Sequence, residues 1–230
     1  MKTAMLACSV LLFITVLADA EVFHSDAGRF SVRIPAGWEA VPDDVVAETE
    51  PLVAAFQPVN AEAWMDFPHV FVMLHDVLEP QELVAEAAQH RKPFVSRKWH
   101  DIMTKAPQLD LLREKNEVCV DIERKALAMR MLDENPEGGQ ILSITACFLA
   151  RDASIWFSAD CRPSQWKTAA SAFRAILGSV SIDDGYEYQP RPPTAAPKTN
   201  SFRSFRGIRL IILLSILGAL YLARMIARRG

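Results

Sequence analysis

The 230-residue sequence lacks the short motifs that mark nucleotide-binding and hydrolytic enzymes. It contains only 5 histidines, 4 cysteines and 9 glycines, and neither a G-x-G-x-x-G sequence nor a P-loop is present. No serine or cysteine stands in the glycine-flanked turn that exposes the nucleophile of many hydrolases. The sequence therefore offers no local motif for nucleotide binding or for nucleophilic catalysis.

The cysteines and histidines do not form a metal-binding pattern. Beyond Cys8, the cysteines are Cys119, Cys147 and Cys161, and their spacings of 28 and 14 residues match no zinc motif. Two of them form a disulfide, or all three are buried thiols on strands; the sequence leaves both alternatives open. His69 and His75 lie on one predicted strand about 20 Å apart, too far to share a metal ion. We expect no metal and no other cofactor.

Positive charge is scarce in the first third of the chain. Residues 21–86 contain 13 acidic and 2 basic residues, a net charge of −11. Such a field repels phosphate, which argues against nucleic acid as a partner. Basic residues are instead concentrated in residues 91–105 and in residues 191–230, where 8 basic residues stand without an acidic one.

The amino terminus has the layout of a signal peptide. Lys2 precedes an apolar stretch over residues 6–17, and Ala18-Asp19-Ala20 forms a small-x-small cleavage site before Glu21. We predict a cleaved signal peptide over residues 1–20, with an uncleaved anchor as the alternative. The signal peptide places the following domain, residues 21–183, outside the cytoplasm; the uncleaved anchor would leave that domain between two membrane passes.

The carboxyl terminus contains an apolar run of 14 residues, 210–223, between Arg209 and Arg224. Because both arginines can snorkel, the usable stretch extends to residues 207–227, which at about 1.5 Å per residue covers the hydrocarbon core of a bilayer. We predict a transmembrane helix there that contacts membrane lipid, with an interfacial tail as the alternative. A basic cytoplasmic end of residues 228–230 follows and contains Arg228 and Arg229.

These features predict a single-pass protein of the cell membrane with its domain on the periplasmic side. Residues 184–206 form a basic linker rich in proline between the domain and the predicted helix. We expect residues 189–201 of this linker to be semi-extended, because they contain four prolines and no aliphatic side chain larger than alanine.

Hydrophobic periodicity predicts an α+β domain with an antiparallel sheet covered by helices. The strand over residues 69–77 is apolar on both faces and is therefore expected at the centre of the sheet. The other predicted strands are residues 30–34, 52–59, 118–132, 141–150, 154–160 and 179–183. Helices are predicted over residues 80–91, continuing in helical spacing to residue 103, and over residues 163–177.

The first strand and turn of the domain resemble the opening of PsbP-like domains. The residues that carry the resemblance are Phe30, Val32, Ile34, Pro35, Gly37 and Trp38. The closing hairpin and amphipathic helix of residues 141–179 are also similar to that family. The resemblance covers residues 21–183 and implies an α/β/α sandwich with a non-enzymatic accessory or binding role. It assigns no binding residue.

Two segments are candidate partner-binding surfaces. The apolar one consists of Trp64, Met65 and Phe67, in a connection between strands. Its alternative is a loop tucked onto the core. The basic one consists of Arg91, Lys92, Arg97 and Lys98, which suit an acidic partner or lipid headgroups. Its alternative is an ordinary solvated helix face.

The sequence thus predicts a membrane-anchored, non-catalytic accessory module that presents a protein- or ligand-binding surface near the membrane. The alternatives are a membrane-tethered enzyme of the hydrolase class and a small-ligand binder of the cell envelope. An enzyme requires titratable groups that converge in a concave pocket, whereas a binding module requires an exposed apolar or charged patch.

Overall fold

The computed structural model describes residues 21–49, 51–64, 66–89, 92–134 and 139–190. The predicted signal peptide, the linker beyond Pro190 and the predicted transmembrane segment with Arg209, Arg224, Arg228 and Arg229 lie outside the described residues. Within those described ranges, none of the helices has the length and hydropathy needed to cross a membrane.

The described residues form eleven β-strands and five α-helices. The strands are β1 (Glu21–Ser25), β2 (Phe30–Ile34), β3 (Trp38–Ala40), β4 (Leu52–Pro58), β5 (His69–His75), β6 (Phe94–Ser96), β7 (Asn116–Asp121), β8 (Ala126–Glu134), β9 (Gln140–Leu149), β10 (Ser154–Cys161) and β11 (Ser181–Ile182). The helices are α1 (Asp43–Ala47), α2 (Pro80–Ala88), α3 (Trp99–Thr104), α4 (Leu109–Glu114) and α5 (Trp166–Gly178), the last preceded by a short 3-10 turn, Pro163–Gln165.

One eight-stranded sheet organises this part of the chain. Its strand order is β3-β4-β5-β10-β9-β8-β7-β6, and β1, β2 and β11 form a separate three-stranded sheet. The large sheet is antiparallel except where β6 runs parallel to β7. Strand β5 lies between β4 and β10, which confirms its predicted central position. The result is a mixed α+β fold with one large sheet and few helices.

The main core lies on one face of the large sheet. On β10, Ile155, Phe157 and Ala159 alternate with residues of the opposite face and are fully buried against α5 and the small sheet. Helix α5 contributes Phe173 and Ile176 from a single side. Because a strand repeats every two residues and a helix about every 3.6, these spacings put all five side chains into one core.

The second face of the sheet is covered by smaller elements. Helix α2 packs on β7 and β8, and α1 packs on β4. Buried Val46 of α1 contacts buried Ala55, and half-buried Phe71 of β5 packs against them. This face also carries Trp156, Ser158 and Asp160 of β10, because they alternate with the core residues just described.

Two predicted elements are wrong. The helix expected to continue beyond Pro93 is instead strand β6 followed by α3. Pro93 has no N–H for a helical bond, and its carbonyl oxygen accepts the Asn116 N–H at 2.9 Å, while the Arg97 N–H donates to Val118 at 2.7 Å. The single strand expected over residues 118–132 is two strands, because the chain turns at Lys125, whose φ is 52°.

Candidate partner-binding site

Four aromatic rings form a continuous row at the start of β5, which we call the aromatic strip: Trp64, Phe67, His69 and Phe71. The ring centroids of Phe67 and His69 are 4.9 Å apart, and those of His69 and Phe71 are 4.0 Å apart, both stacked. The Trp64 ring meets Phe71 edge-on at 6.4 Å. His69 is buried, whereas the other three rings are half-buried and keep part of their surface in solvent.

Local sequence explains why the strip is held in place. His69 and Phe71 are two residues apart on β5, so their side chains share a face of the sheet. The amide nitrogen Nε2 of Gln165 donates to the carbonyl oxygen of Phe67 at 2.8 Å, which ties this loop to the turn before α5. Trp64 packs against the small cluster of Val41, Val46 and Ala55 under α1. The rings are therefore held by contacts within the domain.

The carboxylate of Asp160, whose side chain is 14% exposed, lies beside the strip. Nε2 of His69 is 3.6 Å from Oδ2 of Asp160, and Nδ1 of the same ring is 3.3 Å from the carbonyl oxygen of Asp66. Asp160 also accepts a hydrogen bond from the Ser158 hydroxyl at 2.9 Å. These contacts hold the imidazole plane between the two phenyl rings.

The environment of Asp160 favours its ionised form. Burial by itself would raise the pKa of this carboxyl, but the hydrogen bond and charge of His69 and the hydroxyls of Ser143 and Ser158 lower the pKa below its ordinary value. The Ser158 hydroxyl donates to the carboxylate and not to the imidazole. In a catalytic triad the histidine accepts the proton of the nucleophile, so this arrangement is not one.

A groove adjoins the strip at Phe67. It has a volume of about 330 Å³ and is also lined by Ile141, Arg162 and Pro163. Exposed carboxylates occur on two elements linked to the strip: Glu62 and Asp66 in the loop that carries Trp64 and Phe67, and Asp43 and Asp44 in α1, whose Val46 belongs to the cluster against which Trp64 packs. The site is thus an aromatic surface whose own loop and neighbouring helix carry exposed acidic side chains.

The structure places the candidate residues in different settings. Trp64 and Phe67 meet His69 and Phe71 in the strip, whereas Met65 and Arg91 lie outside the described residues. The ammonium group of Lys92 donates to the carbonyl oxygens of Leu112 and Leu132, each at 3.0 Å.

Arg97 and Lys98, like Lys92, lie outside the helices. Nε of Arg97 pairs with Glu117 at 3.2 Å. Lys98 is exposed immediately before α3. Two of the four basic candidates are therefore engaged in contacts inside the domain.

The sequence did not identify the cluster of His69, Asp160, Ser143 and Ser158. Its one visible sign was the polar alternation of Ser158 and Asp160 along an otherwise apolar strand. The contact with His69 requires the register of β5 against β10, in which Asp160 pairs with His69. That register joins residues 91 positions apart, and no local pattern encodes it.

Comparison with known proteins shows similarity of fold to solved structures only. No protein-family model matches the chain, and no curated protein matches it. Among solved structures, the cyanobacterial PsbP (CyanoP) of Synechocystis sp. PCC 6803 matches with a TM-score of 0.36 and 11% identity, over 70% of this chain and 91% of that one.

Two further structures match at a similar level. LpqN of Mycobacterium tuberculosis, described as involved in cell envelope biogenesis, has a TM-score of 0.42 and 13% identity over 71% of this chain and 90% of that one. A protein of Bacteroides thetaiotaomicron has a TM-score of 0.41 and 12% identity over 74% of this chain, which spans only 51% of that protein. The chain thus has a weak fold resemblance to PsbP-like domains, as the motif at residues 30–38 predicts.

Proposed function

We propose that this protein is a membrane-anchored, non-catalytic accessory module that binds a protein partner through the aromatic strip. The observation that carries the proposal is the row of contacting rings from Trp64 to Phe71, three of them half-buried and His69 buried, beside the ionised carboxylate of Asp160. Aromatic side chains are enriched in the energetically important centres of protein interfaces.

The geometry of the strip suits binding in two respects. First, the rings are already ordered by stacking and by the bond from Gln165 to Phe67, so little side-chain entropy is lost when a partner covers them. Second, the loop that carries Trp64 and Phe67 and the neighbouring helix α1 have exposed carboxylates, those of Glu62 and Asp66 in the loop and of Asp43 and Asp44 in α1. A partner segment with apolar side chains between basic residues would complement both features.

The groove beside Phe67 supports a small-ligand binder as the second candidate. Its volume of about 330 Å³ is at the lower end of the range for small-molecule sites. A ligand there would stack on Phe67 and place an acidic group near Arg162. The hydrolase alternative has less support, because both ring nitrogens of His69 face groups of the protein itself.

Affinity purification of the detergent-solubilised full chain tests the partner-binding role. We expect Phe67→Ala and the double variant Asp43→Lys/Asp44→Lys to reduce recovery of a defined partner about tenfold or more. The matched control is Val84→Ala, which truncates an apolar side chain that is 50% exposed on α2, away from the strip. Equal recovery with all variants, at unchanged thermal stability, would exclude the strip as the binding surface.

Alkaline extraction of membranes tests the anchor separately. The full chain is expected to remain with the membrane, and a truncation ending at Asp183 to appear in the soluble fraction. Release of the full chain by alkaline extraction would instead favour an interfacial tail.

A further inference from the structure

A second groove, distant in sequence from the strip, lies between β2 and the end of α5. Its volume is about 440 Å³, and its lining includes Arg33, Arg174, Ser171 and Ser179. Pro35 and Ala175 supply apolar surface. Neither the sequence patterns nor the proposed binding role accounts for it.

The two arginines reach this groove for simple geometric reasons. Arg33 lies between Val32 and Ile34, which are buried in the core, so its side chain points to the opposite side of β2. Arg174 is exposed and follows buried Phe173 on α5. The Ser179 hydroxyl accepts the Arg33 N–H at 2.8 Å and donates to the Ile176 carbonyl oxygen at 3.0 Å, which ties the end of α5 to β2.

The charge in this groove is not neutralised by the protein. Five other arginines pair with a carboxylate: Arg97, Arg113, Arg124, Arg130 and Arg151. Among the described residues, neither Arg33 nor Arg174 has such a partner, and the lining contains no acidic residue. Arg33 is moreover one of only two basic residues in the strongly acidic stretch of residues 21–86.

We propose that this groove binds a phosphate group carried on a small alcohol, either a soluble phosphate ester or a lipid headgroup. Guanidinium groups form paired, charge-assisted hydrogen bonds with phosphate oxygens. The Ser171 hydroxyl lies on the same side of the groove as Arg174 and can donate a further bond. The groove is larger than a phosphate ion, so the apolar surface of Pro35 and Ala175 is available to the attached alcohol. This site is independent of the aromatic strip.

The test uses the purified full chain in a neutral detergent. Two probes distinguish a soluble phosphate ester from a lipid headgroup. Titration calorimetry with glycerol 3-phosphate measures binding of a soluble ester. Native mass spectrometry from micelles that contain phosphatidylglycerol or phosphatidylcholine counts bound lipid. The test variant is Arg33→Gln/Arg174→Gln. The matched control is Arg113→Gln/Lys115→Gln, which removes the same charge from exposed positions at the end of α4.

We expect the test variant to bind glycerol 3-phosphate at least about tenfold more weakly, or to lose one phosphatidylglycerol per chain, while the control behaves as wild type. A loss with both probes assigns the site to phosphate esters in general, and a loss with the lipid alone assigns it to a headgroup. Identical binding by the test variant and the wild type with both probes would overturn the proposal, and so would an equal loss in the control. If the double variant does not fold, Arg174→Gln alone decides the result.

Discussion

Arg130 on β8 and Glu117 on β7 form a buried ion pair, and Arg130 also binds carbonyl groups at the end of helix α3. Their exposed fractions are 2% and 3%, and Nε of Arg130 donates to Oε2 of Glu117 at 2.7 Å. The same guanidinium donates to the carbonyl oxygens of Ile102 and Lys105 at 3.0 and 2.7 Å. One side chain thus joins two strands and satisfies carbonyl groups at the end of a helix, which would otherwise lack partners.

Replacing Arg130 with methionine should be strongly destabilising. The variant leaves the Glu117 carboxylate buried without its main partner, and we expect the free energy of unfolding to fall by about 3–5 kcal/mol. Urea unfolding followed by tryptophan fluorescence measures it. The control is Arg113→Gln, whose partner Asp110 is exposed; its effect should be under about 1 kcal/mol. Equal effects of the two variants would contradict this account of the pair.

The turn that ends the motif of residues 30–38 gives a second prediction. Gly37 has a φ of 81°, and the Trp38 N–H donates to the Pro35 carbonyl oxygen at 3.1 Å. This is the geometry of a type II turn, which requires a positive φ at its third residue. Gly37→Ala should destabilise by about 1 kcal/mol through backbone strain alone, because no neighbouring atom lies within 4 Å of an added Cβ.

Gly178→Ala is the matched control for the turn. An added Cβ there also has no atom within 4 Å, but Gly178 is part of α5 and its φ is not positive. Alanine favours helix over glycine by up to about 1 kcal/mol. We expect this variant to be neutral or stabilising in the same unfolding assay. Destabilisation by both substitutions would show that space, and not backbone conformation, limits these positions.

Removing the charge of Glu86 on α2 should stabilise the protein at neutral pH. It is buried, and burial raises its pKa. A raised pKa means that the folded state prefers the protonated carboxyl, so its contribution is favourable at acid pH and is lost as pH rises through the folded-state pKa. Glu86→Gln should therefore increase the free energy of unfolding at neutral pH and not in acid. The exposed control, Glu48→Gln, should have no such effect; an equal gain at both pH values would refute this explanation.

Asp160 predicts the opposite pH dependence. Because the contacts with His69, Ser143 and Ser158 lower its pKa despite burial, the ionised carboxylate stabilises the fold above its unfolded-state pKa. That contribution is lost as pH falls through the folded-state pKa. Asp160→Asn should destabilise the protein at neutral pH, and the difference from wild type should shrink in acid. Unfolding curves at several pH values measure the difference in free energy of unfolding between Asp160→Asn and the wild type. A difference that does not change with pH would contradict the prediction.

The three cysteines of the domain should be inert in the folded protein. Cys119, Cys147 and Cys161 are buried and free. Burial, reinforced by the charge of Asp160, raises the pKa of Cys161 to about 12, and burial also raises the pKa of Cys147 and Cys119. Since the thiolate is the reactive form, iodoacetamide should label all three only after unfolding, as seen by peptide mass mapping. Rapid labelling of any one in the native protein would contradict the prediction.

Local sequence patterns were sufficient to predict those elements whose structure depends on a single segment. The periodicity of α5 and of strands β5, β9 and β10 predicted them within a few residues. The disposition of Pro35 and Gly37 predicted the turn between β2 and β3. Patterns failed at residues 94–96, where β6 is a strand because β7 supplies hydrogen bonds through Asn116 and Val118. Such bonds come from a distant part of the sequence, so no helical spacing could reveal them.

The sequence by itself determined the α+β class, the central place of β5 and the apolar character of the segment around Trp64 and Phe67. Only the tertiary structure decided which polar groups meet. It paired Asp160 with His69 and Arg130 with Glu117, and it placed Arg33 opposite Arg174 in a groove. The physical reason is that hydrophobic periodicity selects which face of each element is buried, whereas strand register and helix packing select its neighbours.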